Sequence, residues 1–453
     1  MIQSRPLDTA GRPEDDAGNV LVTFFTTTFA KAAPEQTFSV PLNVLPDGLN
    51  QLLKSVLAVA DVDFDFLYQD EYISTSLSRF MRRRGVGVEG LLALEYSPAL
   101  RAAEGPLRPH DDWVSAVRAP YGGGGEVLLT SSYDHGVRVW EGETCLALGS
   151  FHRECVKEVC IHSMLGPAGG GAKGETRKRD RPAAALGDFL FVSAGKDGSL
   201  ASWRYREGSG GVELLGSIHA HRDGVDAVDV LPVEGRLVAS ASWDATVKVF
   251  NWAEQLQSGD GLPSTKAPVL TFTDHTRPVL ACRFSQAHYC GAVHLHSAGL
   301  DGNLKTLDLT SAEMVRQFKG DHPINGIAVK PGGGDSDLIL AACTDNRARL
   351  YDTRGKEVVK TFGGARQWLY AATWLWRREE AETAATANLF ATGGEDGAVR
   401  VYDLRSTTAA LLTLDNLHTD GVLDVSYAGG STIVSGGKDN RTQSFTVSKE
   451  TIA

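Results

Sequence analysis

The chain has 453 residues, 42% hydrophobic and 22% charged, values of a soluble globular protein longer than one ordinary domain. Its formal net charge of −11 argues against a surface built mainly to grip nucleic-acid backbone. Six scattered cysteines (Cys145, Cys155, Cys160, Cys282, Cys290, Cys343) read as reduced thiols of a cytosolic or nuclear setting, and no apolar run approaches the ~18 residues of a membrane helix.

Residues 1–18, MIQSRPLDTAGRPEDDAG, have little to bury and read as a disordered tail. VLVTFFT (20–26) and TFSVPLN (37–43) read as a hairpin. LPDGLNQLLKSVLAVA (45–60) places Leu49, Leu52, Leu53, Val56 and Leu57 at helical spacing. FDFLYQDEYI (64–73) is strand, turn and strand; SLSRFMRRRG (76–85) is a short helix stopped by Gly85; LLALEY (91–96) is the last strand. The order β-β-α-β-β-short helix-β over residues 19–96 looks like a ubiquitin-like β-grasp, an α+β module. No diglycine tail ends it, so a docking module is expected rather than a conjugated modifier.

From residue 111 a different pattern recurs. A short strand rich in Val, Ser and Ala runs into a turn containing Asp, then into an alternating strand with an aromatic near its end. SSYDHGVRVW (131–140), SAGKDGSLASW (193–203), SASWDATVKVF (240–250) and ATGGEDGAVRVYD (391–403) are the clearest copies. The turn aspartates Asp134, Asp197, Asp244, Asp301, Asp345, Asp396 and Asp439 are separated by 63, 47, 57, 44, 51 and 43 residues. A period of about 40–45 residues with four strands per unit is the signature of a propeller blade, the excess being loop insertions. Asp-Gly and Asp-Asn suit hairpins that need positive φ. A histidine precedes the first strand of most units: His110, His152, His221, His275, His322 and His418. These residues resemble the WD40 repeat, in which Asp and His join a strand hydroxyl and an indole in a buried hydrogen-bond network; here Trp140 and Trp203 alone supply the indole. Seven turns imply a mostly β, seven-bladed WD40 propeller over 97–453, its last blade completed by a strand from just before Trp113. Recurrence at a fixed offset marks the His and Asp residues as structural, since a catalytic set would appear once.

The largest spacing contains LGPAGGGAKGETRKRDRPAAALG (165–187), read as a disordered insertion. Its GGGAKGET lacks the order of a phosphate loop, which removes nucleotide binding. The basic cluster Arg177, Lys178, Arg179 and Arg181 suits a solvated loop, nuclear import or direct RNA contact. CVKEVCIH (155–162) has two cysteines and a histidine but no second ligand pair, so zinc is not expected.

A ubiquitin-like module fused to a seven-bladed propeller, together with VLVTFFT, FDFLYQDEYISTSL, GVGVEGLLALEY and DDWVSAV, resembles the WD-repeat ribosome-biogenesis factors of the PeBoW complex. The resemblance implies a non-enzymatic assembly factor for the 60S subunit and rRNA maturation, in the nucleolus and nucleoplasm. It implies a propeller that binds the propeller of the block-of-proliferation protein, with pescadillo in the same complex on pre-60S particles. It also implies that the ubiquitin-like module docks on the metal-ion-dependent adhesion site of midasin, an AAA ATPase whose force releases the complex. The family's metal-contacting glutamate precedes the last ubiquitin-like strand, here Glu89. No intrinsic cofactor is expected; the Mg²⁺ would be the partner's, and Glu89 would complete its octahedral oxygen shell in trans. Gly85, Gly87 and Gly90 allow close backbone approach, Val88 and Leu91 anchor the turn, and Arg82–Arg84 are expected to face acidic surface around the metal. Asp70 and Glu71 are rival carboxylates in a hairpin turn.

The alternative is a WD40 substrate receptor of a cullin-type ubiquitin ligase. YDTR (351–354) and YDLR (402–405) resemble the receptors' boxes, with Arg354 and Arg405 in the adaptor-binding role. An enzyme is not expected, since no single-copy nucleophile–base pairing is present.

Overall fold

The structure, a computed structural model, describes residues 18–27, 29, 31–87, 89–120, 127–164, 188–207, 211–231, 237–252, 267–285, 293–331, 338–375, 388–406 and 409–449. The tail (1–17), the insertion 165–187 with its basic cluster, Cys290 and Val88 therefore lie outside the described residues. The chain divides into two compact units. One is Met1–Ala103 with Tyr402–Thr413 and Val447–Ala453; the other is Glu104–Val401 with Leu414–Thr446. The first runs past the boundary expected at residue 96.

The first unit holds a five-stranded mixed sheet. Its strands are β1 (Asn19–Phe25), β2 (Phe38–Pro41), β3 (Phe64–Tyr68), β4 (Glu71–Tyr72) and β5 (Leu91–Pro98), in the order β2-β1-β5-β3-β4. β1 pairs antiparallel with β2 and parallel with β5. Helix α1 (Pro46–Leu57) starts on a proline at a position where the missing N–H costs nothing, and ends on Ala58 in the left-handed region. Leu49, Leu53 and Leu57 are fully buried and Leu52 partly so, as the helical spacing requires. Asn50, on the same helix, also turns inward, where its Nδ2 donates to Asp63 and its Oδ1 accepts from the Phe64 N–H, so the buried amide is satisfied. The strands bury one face: Val20, Val22 and Phe24 on β1 and Leu92, Leu94 and Tyr96 on β5. Phe64 meets Tyr96 edge-on at 5.5 Å, and the Tyr96 hydroxyl donates to Lys31 O and accepts from the Ala33 N–H, both at 2.8 Å.

The second unit is built of four-stranded antiparallel sheets, seven of them among the described residues when the last is counted with its borrowed strand. Their innermost strands are Val114–Arg118, Val156–Met164, Val225–Val230, Val279–Phe284, Ile324–Val329, Leu369–Trp374 and Val422–Gly429. Each packs on the next, and the last packs on the first, so the row closes. The final sheet takes its fourth strand from β6 (Leu100–Pro109), the segment preceding Trp113.

The residue after each turn aspartate is left-handed: His135, Gly198, Ala245, Gly302, Asn346, Gly397 and Asn440, with φ between 60° and 76°. Glycine and asparagine take this conformation readily; His135 and Ala245 do so at a cost set against the surrounding ladder. In four sheets the aspartate binds the histidine: His152–Asp197, His221–Asp244, His275–Asp301 and His418–Asp439, with Nδ1 to carboxylate distances of 2.9–3.2 Å. The other ring nitrogen meets Ser193, Ser240, Ser297 or Ser435 at 2.7–2.9 Å. Trp203 donates to Ser193, and Trp140 to Thr130, as the two indoles predict.

The remaining three sheets have no His–Asp pair among the described residues. His110 bonds Thr130 rather than Asp134 and His322 is exposed, both against expectation, while the sixth unit, GGARQWLYAATWLW, lacks the histidine as its sequence predicts. In each an arginine four residues after the aspartate takes the imidazole's place: Arg138 on Asp134, Arg349 on Asp345 and Arg400 on Asp396. The carboxylate is satisfied by a bidentate or nearby guanidinium instead of an imidazole N–H.

Candidate functional site: the Glu89 turn

Helix α2 (Leu77–Arg84) buries Leu77, Phe80 and Met81 and exposes its four arginines, Arg79, Arg82, Arg83 and Arg84. It ends on Gly85 at φ +66°, whose N–H bonds Arg82 O, while the Val86 N–H bonds Met81 O at 2.9 Å. This closure satisfies the last carbonyls and sends the chain back toward β5. Val86 packs on the core of the sheet, so the turn is held at one end by the helix cap and at the other by the β1–β5 pairing that begins at Leu91.

Glu89 sits between these anchors, exposed, with no hydrogen bond or ion pair among the described residues. The anchoring expected of Leu91 through its side chain is not what the structure shows. Leu91 is 58% exposed, and the backbone ladder does the holding. Gly87 and Gly90 lie outside the left-handed region, and a Cβ built on either would meet nothing within 4 Å. The chain's own fold therefore demands glycine at Gly85 but not at Gly87 or Gly90.

The nearest rival carboxylate is accounted for. Arg83 Nη2 reaches Glu71 Oε1 at 2.5 Å and Arg84 Nε takes Glu71 Oε2. Arg83 and Arg84 were expected to face acidic surface of a partner; instead they pair with Glu71 on the β3–β4 hairpin. Asp70, at φ +62° after Gln69 at φ +47°, is the exposed corner of that hairpin.

The boxes proposed for an adaptor close on themselves. Arg354 Nη2 lies 2.7 Å from Asp352. Arg405 lies 2.8 Å from the fully buried Asp403, and within the same compact unit its guanidinium stands over the Tyr72 ring at 5.4 Å. Burial foremost, and then the Asp403 charge, push the Tyr72 phenol up. Arg405 is thus a packing element as it stands.

Two features escaped the sequence reading. The arginines of the Asp-x-x-x-Arg pattern were visible as DHGVR, DNRAR and DGAVR. The second is a buried ionic chain on the innermost strands. Glu158 accepts from Arg118, from Arg283 at 2.6 Å and from the Val228 N–H at 3.0 Å; Arg118 also reaches Asp424. Burial raises the Glu158 carboxyl, but the Arg283 and Arg118 charges outweigh it and hold it below the usual range. Its signal was a charged pair, KE, inside the strand read from CVKEVCIH.

The class of protein is set by these repeats: a WD-repeat chain preceded by a small mixed α/β unit. Comparison with known families agrees, matching the NLE (NUC135) domain over residues 20–81 and the WD domain, G-beta repeat, over 104–141 and 212–251. Along nearly its whole length the chain is homologous to proteins named ribosome biogenesis protein WDR12 homolog. That of Anopheles gambiae is 28% identical over 94% of this chain and 95% of its own; that of Drosophila erecta is 29% identical over 95% and 96%. The Drosophila mojavensis protein is 28% identical over 97% and 98%.

Proposed function

We propose that the protein is a non-enzymatic assembly factor of the large ribosomal subunit, acting in the nucleolus and nucleoplasm. The observation that carries this is the similarity to ribosome biogenesis proteins, which spans both units and covers 95–98% of those relatives' own length. On this reading the seven four-stranded sheets are the blades of a WD40 propeller. It scaffolds a complex with the block-of-proliferation protein and pescadillo on pre-60S particles. The five-stranded unit is a ubiquitin-like module, and Glu89 is its handle for the adhesion-site domain of midasin.

What supports the handle is the local physics. A carboxylate offered to a partner's metal must be exposed, free of internal salt bridges and held on a short, anchored turn, because ordering a loose one subtracts from affinity. Glu89 has these properties, and Glu71 has lost them to Arg83 and Arg84. The Mg²⁺ of the partner would supply the Lewis-acidic acceptor; this chain supplies the oxygen donor and its orientation.

The test is calorimetric titration of the full chain into the purified midasin adhesion-site domain, with Mg²⁺ and with chelator. Glu89→Ala and Glu89→Asp are each expected to cost at least ~2 kcal/mol, roughly thirtyfold in Kd. The handle fails if binding survives chelator or Glu89→Ala unchanged. The assembly role fails if the tagged full chain recovers no large-subunit precursor.

A further inference from the structure

The five-stranded sheet of the first unit has a second face, and at the β3–β4 hairpin that face is buried too. Phe64, Phe66 and Ile73 of the hairpin region belong to the core shared with α1. Leu67 and Tyr72 stand opposite each other in the register and are no part of that core, yet they are only 2% and 4% exposed. β4 is an edge strand two residues long, Glu71–Tyr72, and so short an edge cannot bury a tyrosine by itself. What lies on Tyr72 is the unit's second stretch of chain, Tyr402–Thr413. Arg405 covers the ring, and its Nη2 donates to the Tyr72 hydroxyl at 3.3 Å across a sequence separation of 333 residues. That hydroxyl in turn points at Asp403 Oδ2, 3.5 Å away. Asp403 is fully buried and takes Arg405 Nε and Nη2 at 3.0 and 2.8 Å, so the two charges meet the ring already paired.

We infer that Asp403 and Arg405 are a clasp, an intramolecular docking element that closes the edge of the five-stranded sheet over Tyr72. The chemistry suits the task. A guanidinium seated over an aromatic ring gains cation–π attraction and a hydrogen bond together, and the carboxylate behind it leaves no buried charge uncompensated. The clasp also makes the module depend on a stretch of chain that no reading of residues 19–103 discloses. Its effect reaches past Tyr72. Glu71, the other residue of β4, pairs with Arg83 and Arg84 on the last turn of α2, and the Gly85 cap of that helix begins the turn that carries Glu89. If β4 frays, the anchor of α2 frays with it, so Asp403 and Arg405 are positioning residues that act on the turn through β4 and α2. This last step rests on the reading of Glu89 given above; the clasp itself does not.

Hydrogen–deuterium exchange on the full chain tests the clasp. Peptides covering 64–73, 77–84 and 402–406 are followed, with α1 and the strand Val279–Phe284 as references. In the hairpin the Ile73 N–H, bonded to Phe66 O at 2.8 Å, is one reporter. Arg405→Ala is expected to speed exchange at least about tenfold in 64–73 and by a smaller factor in 77–84, with both references unchanged. Tyr72→Ala should loosen 402–406 in the same way. Tyr72→Phe keeps the ring beneath the guanidinium and should keep most of the protection, which separates loss of the clasp from loss of the fold. The clasp is refuted if Arg405→Ala loosens 402–406 while 64–73 exchanges as in the wild type, or if Tyr72→Phe loosens 402–406 as much as Tyr72→Ala. The positioning step is refuted if 64–73 loosens but 77–84 and Mg²⁺-dependent binding to the midasin adhesion-site domain stay as in the wild type. Normal binding by Glu89→Ala would instead overturn the reading of Glu89, and the exchange results would still decide the clasp.

Discussion

Replacing Glu158 by alanine removes the acceptor at the centre of a buried ionic chain, and its cost can be worked from the geometry. The carboxylate is shared by Arg118 and Arg283, which come from the strands Val114–Arg118 and Val279–Phe284, while Glu158 and the Val228 N–H come from two strands between them. Arg118 continues to Asp424 on the last innermost strand, whose Oδ2 also accepts the Val117 N–H at 2.8 Å. Asp229 accepts the Phe284 N–H at 2.7 Å beside Arg283. Arg118, Glu158, Arg283 and Asp424 line a cavity of about 100 Å³ together with Ser115, Asn325 and Tyr370. With Glu158 gone, Arg283 loses the one carboxylate that lies at ion-pair distance among the described residues, and Arg118 loses one of two. Breaking a buried pair from one side costs roughly 3–5 kcal/mol, because the uncompensated charge remains in a poorly solvated place. Glu158→Gln keeps an acceptor for the Val228 N–H and should cost less, about 2–3 kcal/mol.

Against a total stability of about 5–15 kcal/mol the alanine variant loses a large share. Urea unfolding followed by tryptophan fluorescence measures it selectively, since all eight tryptophans lie between residues 113 and 376 and residues 1–112 are silent. A companion variant sharpens the reasoning: Arg118→Met/Glu158→Gln/Arg283→Met combined with Asp229→Asn and Asp424→Asn removes the charges together, keeps acceptors for the Val228, Phe284 and Val117 N–H groups, and should be more stable than Glu158→Ala. A Glu158→Ala midpoint corresponding to less than about 1 kcal/mol would refute the account, and so would a companion variant less stable than Glu158→Ala.

Other predictions follow from the repeats and the turn. His152→Ala strands the Asp197 carboxylate and should cost about 2–4 kcal/mol in the same unfolding assay, whereas His322→Ala, at an exposed ring, should cost under about 0.5. Acidification should act through His110 first: burial and then the Arg138 charge lower it from 6.5 to about 4, so its contribution is complete above pH 6.5 and is lost as pH falls toward 4. That drop corresponds to roughly 3 kcal/mol, and wild type should lose more stability over this window than His110→Asn, which has no imidazole to protonate. Below pH 3.8 a second loss is expected from Asp197, Asp244 and Asp301. Burial raises their carboxyls, but hydrogen bonds led by His152, His221 and His275 hold them well below their ordinary value. Gly85→Ala should lower thermal stability by about 1 kcal/mol because its φ is +66°, while Gly90→Ala should leave the melt unchanged and weaken Mg²⁺-dependent binding.

The repeats were legible because each is a conflict resolved the same way several times. A left-handed turn residue after an aspartate and a hydroxyl-rich buried strand before it cannot both recur by chance, and the chain meets them as bonded networks. What the pattern did not disclose was the exchange of imidazole for guanidinium, since Asp134 and His110 occupy the expected positions yet satisfy different partners. The spacing places residues on a line; which donor reaches the carboxylate depends on side-chain reach across strands, and an arginine four residues on reaches as well as a histidine more than twenty residues before. The same limit applied to the arginines of the first unit. RRR (82–84) followed by a lone glutamate reads as charges awaiting a partner, but two of the three are spent on Glu71 across the helix-to-hairpin contact. That expenditure is what separates the two glutamates. One cluster neutralises the carboxylate on the hairpin, while the carboxylate on the glycine turn has no ion-pair partner among the described residues. On the proposed reading, a turn carboxylate without an internal partner suits a site that presents a divalent ion, and the internal pairing of Glu71 would then contribute to the selectivity of Glu89.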